Sequence, residues 1–230
     1  RLMQKYNIQA KIRRPKPQRK FLRDSHNAKV SPNHVRREFQ AYGPRKILLT
    51  DISYLPYSRD KMAYLSTIKD AYTNEILSYT VSESLALDFV LECVNQLDSD
   101  HGIQQSKETI IHSDQGAHYT SIKFRELVRQ KRYIQSMSRR GNCWDNAPQE
   151  SFFGHMKDHL HLHELDTFEQ VKTAIAGIIH YYNNDRPQWN LAKLTPTQFY
   201  QYATTNVYPH RHLVTPPELP KIRQLELTTE

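Results

Sequence analysis

Two cysteines in 230 residues, Cys93 and Cys143, are too few for a zinc finger. Nothing in the sequence supports a disulfide between them, and a chain this poor in cysteine reads as a protein of a reducing compartment, the cytoplasm. No apolar run approaches the ~20 residues that cross a bilayer, and no secretory signal pattern opens the chain, so no membrane partner is expected. Internal repeats are absent. His155, His159, His161 and His163 lie close together in sequence, but no H-E-x-x-H motif or cysteine pair joins them, which argues against a structural zinc site. Cys143 has no activating base placed beside it, which argues against a thiol nucleophile. Arg1 stands where Met would start a reading frame, so the expectation is a piece of a longer chain.

What is present is positive charge, concentrated in one place. Residues 1–46 carry 14 Lys and Arg against 2 Asp and Glu, whereas residues 47–230 carry 18 against 22. A basic arm therefore precedes a mildly acidic body, and that asymmetry favours a polyanion such as DNA or RNA. Prolines and like charges between Lys11 and Lys20 argue against a packed element. Residues 1–45 are expected as a basic N-terminal arm and linker, 46–203 as the folded core, and 204–230, with four prolines, as an extended tail.

Within the core, Ile47–Leu55 is an apolar run interrupted by Asp51, the pattern of a central strand buried on both faces. Met62–Lys69 and Glu75–Ser82 read as an antiparallel hairpin turning at 70–74. Residues 84–97 read as a helix with Ala86, Phe89, Val90, Cys93, Val94 and Leu97 on one face. A strand over 108–114, a helix over 120–132 and a strand over 133–137 follow. Thr167-Phe168-Glu169-Gln170 and Thr195-Pro196-Thr197-Gln198 have capping-box form and start two more helices. Three strands in sequence, then alternation with helices, predict an α/β fold with a mixed five-stranded sheet flanked by helices.

The chain is organised around Arg139–Gly154. Its first half is basic and polar, and its second half begins a helix, with Asp145 or Asn146 as cap and Pro148 in the first turn. Glu150 sits in the opening turns, and Phe152, Phe153, Met156 and Leu160 form an apolar stripe. Lys157, two turns beyond Glu150, shares its face and is a candidate phosphate contact, as are Arg139, Arg140 and Asn142 in the preceding loop. Asp51, Asp114 and Glu150 are three acids from distant positions that such a sheet can bring together. Singly, each has a plain alternative: a solvated strand acid, a turn former, a helix-dipole partner. Convergence would need divalent cations to offset the repulsion, and hard oxygen donors suit Mg²⁺ or Mn²⁺, two ions of which serve in-line phosphoryl displacement.

The segments Leu49-Thr50-Asp51-Ile52-Ser53-Tyr54, His112-Ser113-Asp114-Gln115-Gly116, and Ser136 through Phe153 resemble the catalytic core of bacterial insertion-sequence DDE transposases. The likeness is closest to the orfB-type branch, itself similar to retroviral integrases. The 35 residues between Asp114 and Glu150 fit that branch, and Tyr181–Pro187 resembles its next helix end. Gln188–Leu194 departs from the family, which has His and a Gly-containing turn there. The resemblance implies an RNase H-like integrase core with Asp51, Asp114 and Glu150 as catalytic and metal-binding residues. It also implies DNA strand cleavage and strand transfer at transposon ends, transposon-end and target DNA as partners, a homo-oligomer on DNA, and a place on the bacterial nucleoid. The competing readings are an RNase H-like nuclease without strand transfer and a non-catalytic DNA-binding descendant.

Overall fold

The structure, a computed structural model, describes residues 30–100, 108–139 and 147–224, with the side chains of 98–100 excepted. By contacts the chain divides into two units, Arg1–Val30 and Ser31–Glu230, and the second carries the fold. Five strands form one sheet: β1 (Ile47–Tyr57), β2 (Lys61–Asp70), β3 (Ile76–Ser82), β4 (Ile110–Ser113) and β5 (Ile134–Met137). Their order is β3-β2-β1-β4-β5, with β1 at the centre. β1, β2 and β3 pair antiparallel, while β4 and β5 add in parallel. The helices are α1 (Asp88–Asp100), α2 (Ile122–Gln130), α3 (Ala147–His159), α4 (Phe168–Asn184) and α5 (Pro196–Thr205).

Alternation along β1 and β2 decides which helix covers which face. Leu55, Tyr57, Ala63 and Leu65 join Phe152, Phe153 and Met156 of α3 and Val171, Ile175 and Ile179 of α4 in one apolar cluster. Each large side chain fully buried there contributes about 1.5–3 kcal/mol. Ser66 and Ser78 point to the opposite face, where the Ser66 carbonyl meets Cys93 Sγ at 3.6 Å and Ser78 Oγ donates to the Cys93 carbonyl at 2.6 Å. Phe89, Val90, Val94 and Leu97 of α1 are buried on that side. Helix α1 begins at Asp88, later than the periodicity suggests, and Ala86 lies exposed before it.

Both predicted capping boxes form. Thr167 Oγ1 accepts from the Gln170 N–H and Thr195 Oγ1 from the Gln198 N–H, and each glutamine returns the bond to its cap's backbone N–H. Residues 31–45, expected within a linker, lie against the sheet instead: Val35, with Phe39 and Tyr42, packs on Ile47, Leu49, Ala71 and Ile110. Arg45 then anchors the β2–β3 turn, its guanidinium donating to buried Asp70 at 3.0 Å and to Glu75 at 2.6 Å. Residues 206–224 form no helix or strand, yet they too are tied down. Tyr208 is buried beside Tyr72 and Leu194, and the Arg223 N–H donates to the Ala41 carbonyl at 2.7 Å. Apolar side chains within the polar stretches 31–45 and 206–224 explain the difference, since a proline-rich segment still docks where it can bury aromatic area.

Candidate active site

The register of the central strands positions the first two acids. The parallel pairs Ile47–Ile110, Leu48–Ile111 and Leu49–His112 keep one offset, and continuing it two residues aligns Asp51 with Asp114. Adjacent strands run about 4.8 Å apart, so both acids emerge on the same face where β4 ends. Asp51 Oδ1 accepts from the Ile52 N–H at 2.8 Å. Asp114 Oδ1 accepts from the Gly116 N–H at 2.8 Å, in an Asx turn that stops the strand. A side chain at Gly116 would collide with that carboxylate, because a Cβ there would sit 2.8 Å from Asp114 Oδ1. Beneath Asp114, buried His112 is held through both ring nitrogens, by Ser136 Oγ at 2.9 Å and Ser138 Oγ at 3.0 Å. The Gln115 side-chain amide donates to the Ser138 carbonyl at 3.0 Å, and together these bonds fix the end of β4 against β5.

The third acid arrives on α3. Asp51 opposes Thr67 across the β1–β2 ladder, so the two share a face. Gln149, fully buried, donates its side-chain amide to Thr67 Oγ1. Lys69, two residues along the same face, donates Nζ to the Pro148 carbonyl at 2.7 Å. These two bonds clamp the first turn of α3 onto β2, while Phe152, Phe153 and Met156 bury its inner stripe. Glu150 and Lys157 project from the exposed side. Sequence reasoning missed Lys69 and Gln149. The signal for Lys69 was a lysine directly after the uncharged strand run 63–68, a position tolerable when buried only with an acceptor.

Electrostatics tie the four side chains together. The Asp51 carboxyl is raised from its ordinary 3.8 to about 7, chiefly by burial and further by the charges of Asp114 and Glu150, while the Ile52 N–H and Lys157 oppose the rise. Asp51 therefore exchanges its proton near neutrality, as expected of a carboxylate kept beside two others. Lys69 moves the other way: burial lowers it from 10.5 to about 7, with Arg186 adding to the fall and Asp70 opposing it. Among the described residues, no three His, Cys, Asp or Glu side chains stand close enough to enclose an ion as placed. The donor chemistry itself fits a hard divalent cation, whose charge would favour the ionised form of Asp51 against burial and against Asp114 and Glu150.

The remaining candidates divide. Arg139 is exposed just past β5, whereas Arg140 and Asn142 lie outside the described residues, as do the cap candidates Asp145 and Asn146. His118 is turned away from the carboxylates, with Nε2 2.8 Å from the Leu85 carbonyl and its ring edge-on to Phe89. Tyr119 is buried, with its hydroxyl 3.4 Å from Thr50 Oγ1 on the other face of β1. His155 Nε2 lies 3.1 Å from Arg186 Nη2, and burial lowers the pKa of this imidazole.

The family described as "Integrase core domain" matches residues 41–143, and a second model of the same description matches 132–196. An uncharacterized transposase-like protein of Haemophilus influenzae is 35% identical over 171 residues, covering 74% of this chain and 77% of its own. The transposase for insertion sequence element IS904 of Lactococcus lactis subsp. lactis is 31% identical, covering 74% of this chain and 67% of its own. The chain belongs to the insertion-sequence transposases with an integrase core. Solved structures agree on the fold of this transposase. The HTLV-2 integrase catalytic core domain in complex with magnesium superposes with a TM-score of 0.54 at 18% identity, covering 68% of this chain and 97% of that one. A chain of the simian T-cell lymphotropic virus intasome gives 0.62 at 15% identity, covering 87% of the transposase but 65% of the intasome chain. The mixed sheet is thus that of the RNase H-like integrase core. Among the described residues no helix is long and apolar enough to cross a membrane.

Proposed function

We propose that Asp51, Asp114 and Glu150 are the carboxylate triad of a DDE-type polynucleotidyl transferase that cuts and joins DNA at insertion-sequence ends. The observation that carries the proposal is the register that aligns Asp51 with Asp114 at the C-terminal end of parallel β4, with Glu150 on the helix clamped to the adjacent strand. In this reading the triad holds Mg²⁺ or Mn²⁺, as two ions, which when bound would stabilise charge on the attacking and leaving oxygens. Water attacks the phosphorus at the element's end, the bond to O3′ breaks, and that oxygen takes up a proton to become a 3′-hydroxyl. The 3′-hydroxyl then attacks a phosphorus of the target strand. A new phosphodiester forms, and the displaced target O3′ leaves as a hydroxyl. Lys157, two turns beyond Glu150 on the same face of α3, would neutralise a phosphate beside the reacting one. Arg139, Arg140 and Asn142 would position the incoming strand, and two ends would be handled by a homo-oligomer on DNA.

The test is an assay with labelled transposon-end DNA and Mg²⁺ or Mn²⁺, comparing wild type with Glu150→Gln. The expected result is joined product from wild type, a loss of at least about 1,000-fold in the variant, and retained DNA binding. Cleavage without joining would assign a nuclease. Binding without either would assign a DNA-binding descendant. Full activity in Glu150→Gln would remove Glu150 from the triad.

A further inference from the structure

The turn at 188–194, where this chain leaves the pattern of its family, builds one wall of a groove apart from the three acids. Residues 189–191 form a single 3-10 turn, and Ala192 and Lys193 follow with φ of 55° and 60°. The turn is closed by the Gln188–Leu194 bridge and anchored by fully buried Leu191 and Leu194. A turn so fixed holds its outward side chain in place. That side chain is Trp189, 84% exposed. Lys193 Nζ lies over its ring, 4.9 Å from the centroid, which leaves the opposite face of the indole to solvent. An indole so exposed and held on a fixed turn offers a flat, rigid face on which a planar partner can stack.

The groove beside it encloses about 880 Å³. Its walls come from residues 37–41, the first turns of α3, the end of α4 and Lys221 with Arg223. Arg37, Arg186, Lys221 and Arg223 line it against a single carboxylate, Glu38, while buried Lys69 keeps its Nζ on the Pro148 carbonyl. That carboxylate is engaged already, by Arg223 at 3.3 Å and by the Tyr42 hydroxyl at 2.7 Å. Arg186 is held in place by His155 and by the ring of Tyr182, 5.7 Å from its guanidinium carbon. The lining is therefore strongly cationic with one open aromatic platform. Volumes of ~300–1,000 Å³ suit ligands of drug size, so the groove accommodates one or two nucleotides but not a duplex.

We propose that this groove binds an unpaired DNA segment, with a base stacked on Trp189 and the flanking phosphates on Arg186, Arg37 and Lys221. Charge complementarity selects a polyanion, and the exposed ring selects one whose bases are unstacked. The groove meets the candidate active site at α3: Ala147, Pro148, Ser151 and His155 line it, while Glu150 and Lys157 occupy the neighbouring face of the same helix. A strand held here would run toward the carboxylates. The proposal extends the strand-joining function and deepens it by naming a contact for the single-stranded part of the substrate.

The test uses tryptophan fluorescence, since the chain has two tryptophans, Trp144 and Trp189. In the Trp144→Phe variant, Trp189 is the sole reporter, and it is titrated with a 12-nucleotide oligodeoxythymidylate and with a duplex of equal length. The expected result is salt-dependent quenching by the single strand and little by the duplex. Trp189→Ala, at an exposed position, is expected to fold normally and to bind the labelled single strand about tenfold more weakly. Unquenched Trp189, or a Trp189→Ala variant with wild-type affinity, overturns the groove assignment even if the protein joins DNA. Quenching that persists in Trp144→Phe/Glu150→Gln, in a protein that no longer joins strands, supports the groove independently of the triad. Quenching in a protein whose Glu150→Gln form remains fully active leaves the groove standing and overturns the triad alone.

Discussion

Asp51→Asn should stabilise the metal-free transposase at alkaline pH while abolishing strand joining. The native carboxyl titrates near 7 and the unfolded one near 3.8, so between these values the folded state holds the extra proton. A group raised in this way contributes stability that is complete below 3.8 and lost as pH rises through 7. At about 1.36 kcal/mol per pH unit, the loss by pH 8 has a ceiling of about 4 kcal/mol. Asp51 is only partly buried, and solvent at its edge reduces the expected figure to about 2 kcal/mol. Asparagine keeps an oxygen for the Ile52 N–H and removes the charge. Urea unfolding in EDTA should therefore place the Asp51→Asn midpoint about 1 M above wild type at pH 8, for a slope near 2 kcal/mol per molar. The difference should shrink toward zero at pH 4. Millimolar Mg²⁺ should raise the wild-type midpoint by mass action and leave the variant unmoved. A variant less stable than wild type at pH 8, or a difference constant from pH 4 to 8, would refute the reasoning.

Lys69→Met should leave stability at pH 7 within about 1 kcal/mol, because the Pro148 carbonyl loses a donor while the cost of burying an ammonium disappears. Joining should fall about tenfold as the first turn of α3 loosens, and a kinetic assay at saturating DNA reads that loss. The native Lys69 pKa of about 7 lies below the unfolded 10.5, so the unfolded chain holds the extra proton across that window. Wild type should then gain stability relative to Lys69→Met between pH 7 and 10, as unfolding at the two pH values would report. Arg45→Met strands fully buried Asp70 without its ion partner and should cost about 3–5 kcal/mol in urea unfolding, with Asp70→Asn recovering part of the loss.

Where local chemistry decides the structure, the sequence was readable. Asp51 inside an apolar run marked the central strand, the Thr167 and Thr195 boxes marked two helix starts, and Gln115-Gly116 marked the end of β4. A mixed sheet allowed β1 and β4 to be neighbours, and their parallel pairing aligns Asp51 with Asp114. What could not be read depends on contacts between distant segments. Nothing local tells that Val35 and Phe39 dock on Ile47 and Leu49, or that Tyr208 buries itself beside Tyr72. The clamp on α3 is of the same kind. Lys69 and Gln149 lie 80 residues apart on strand and helix, and each acquires a role only when the other's element is in place. Trp189 is the opposite case, a large aromatic residue in a turn, which the 3-10 geometry leaves facing outward.

The central claim is that Asp51, Asp114 and Glu150 share divalent cations. Anomalous diffraction at the manganese edge, from crystals of the transposase grown with Mn²⁺, tests it most directly. The account predicts anomalous peaks within about 2–2.5 Å of carboxylate oxygens from all three residues, absent in Asp51→Asn crystals. Manganese found only elsewhere, for example at His161 and His163, in protein that still joins DNA would contradict it.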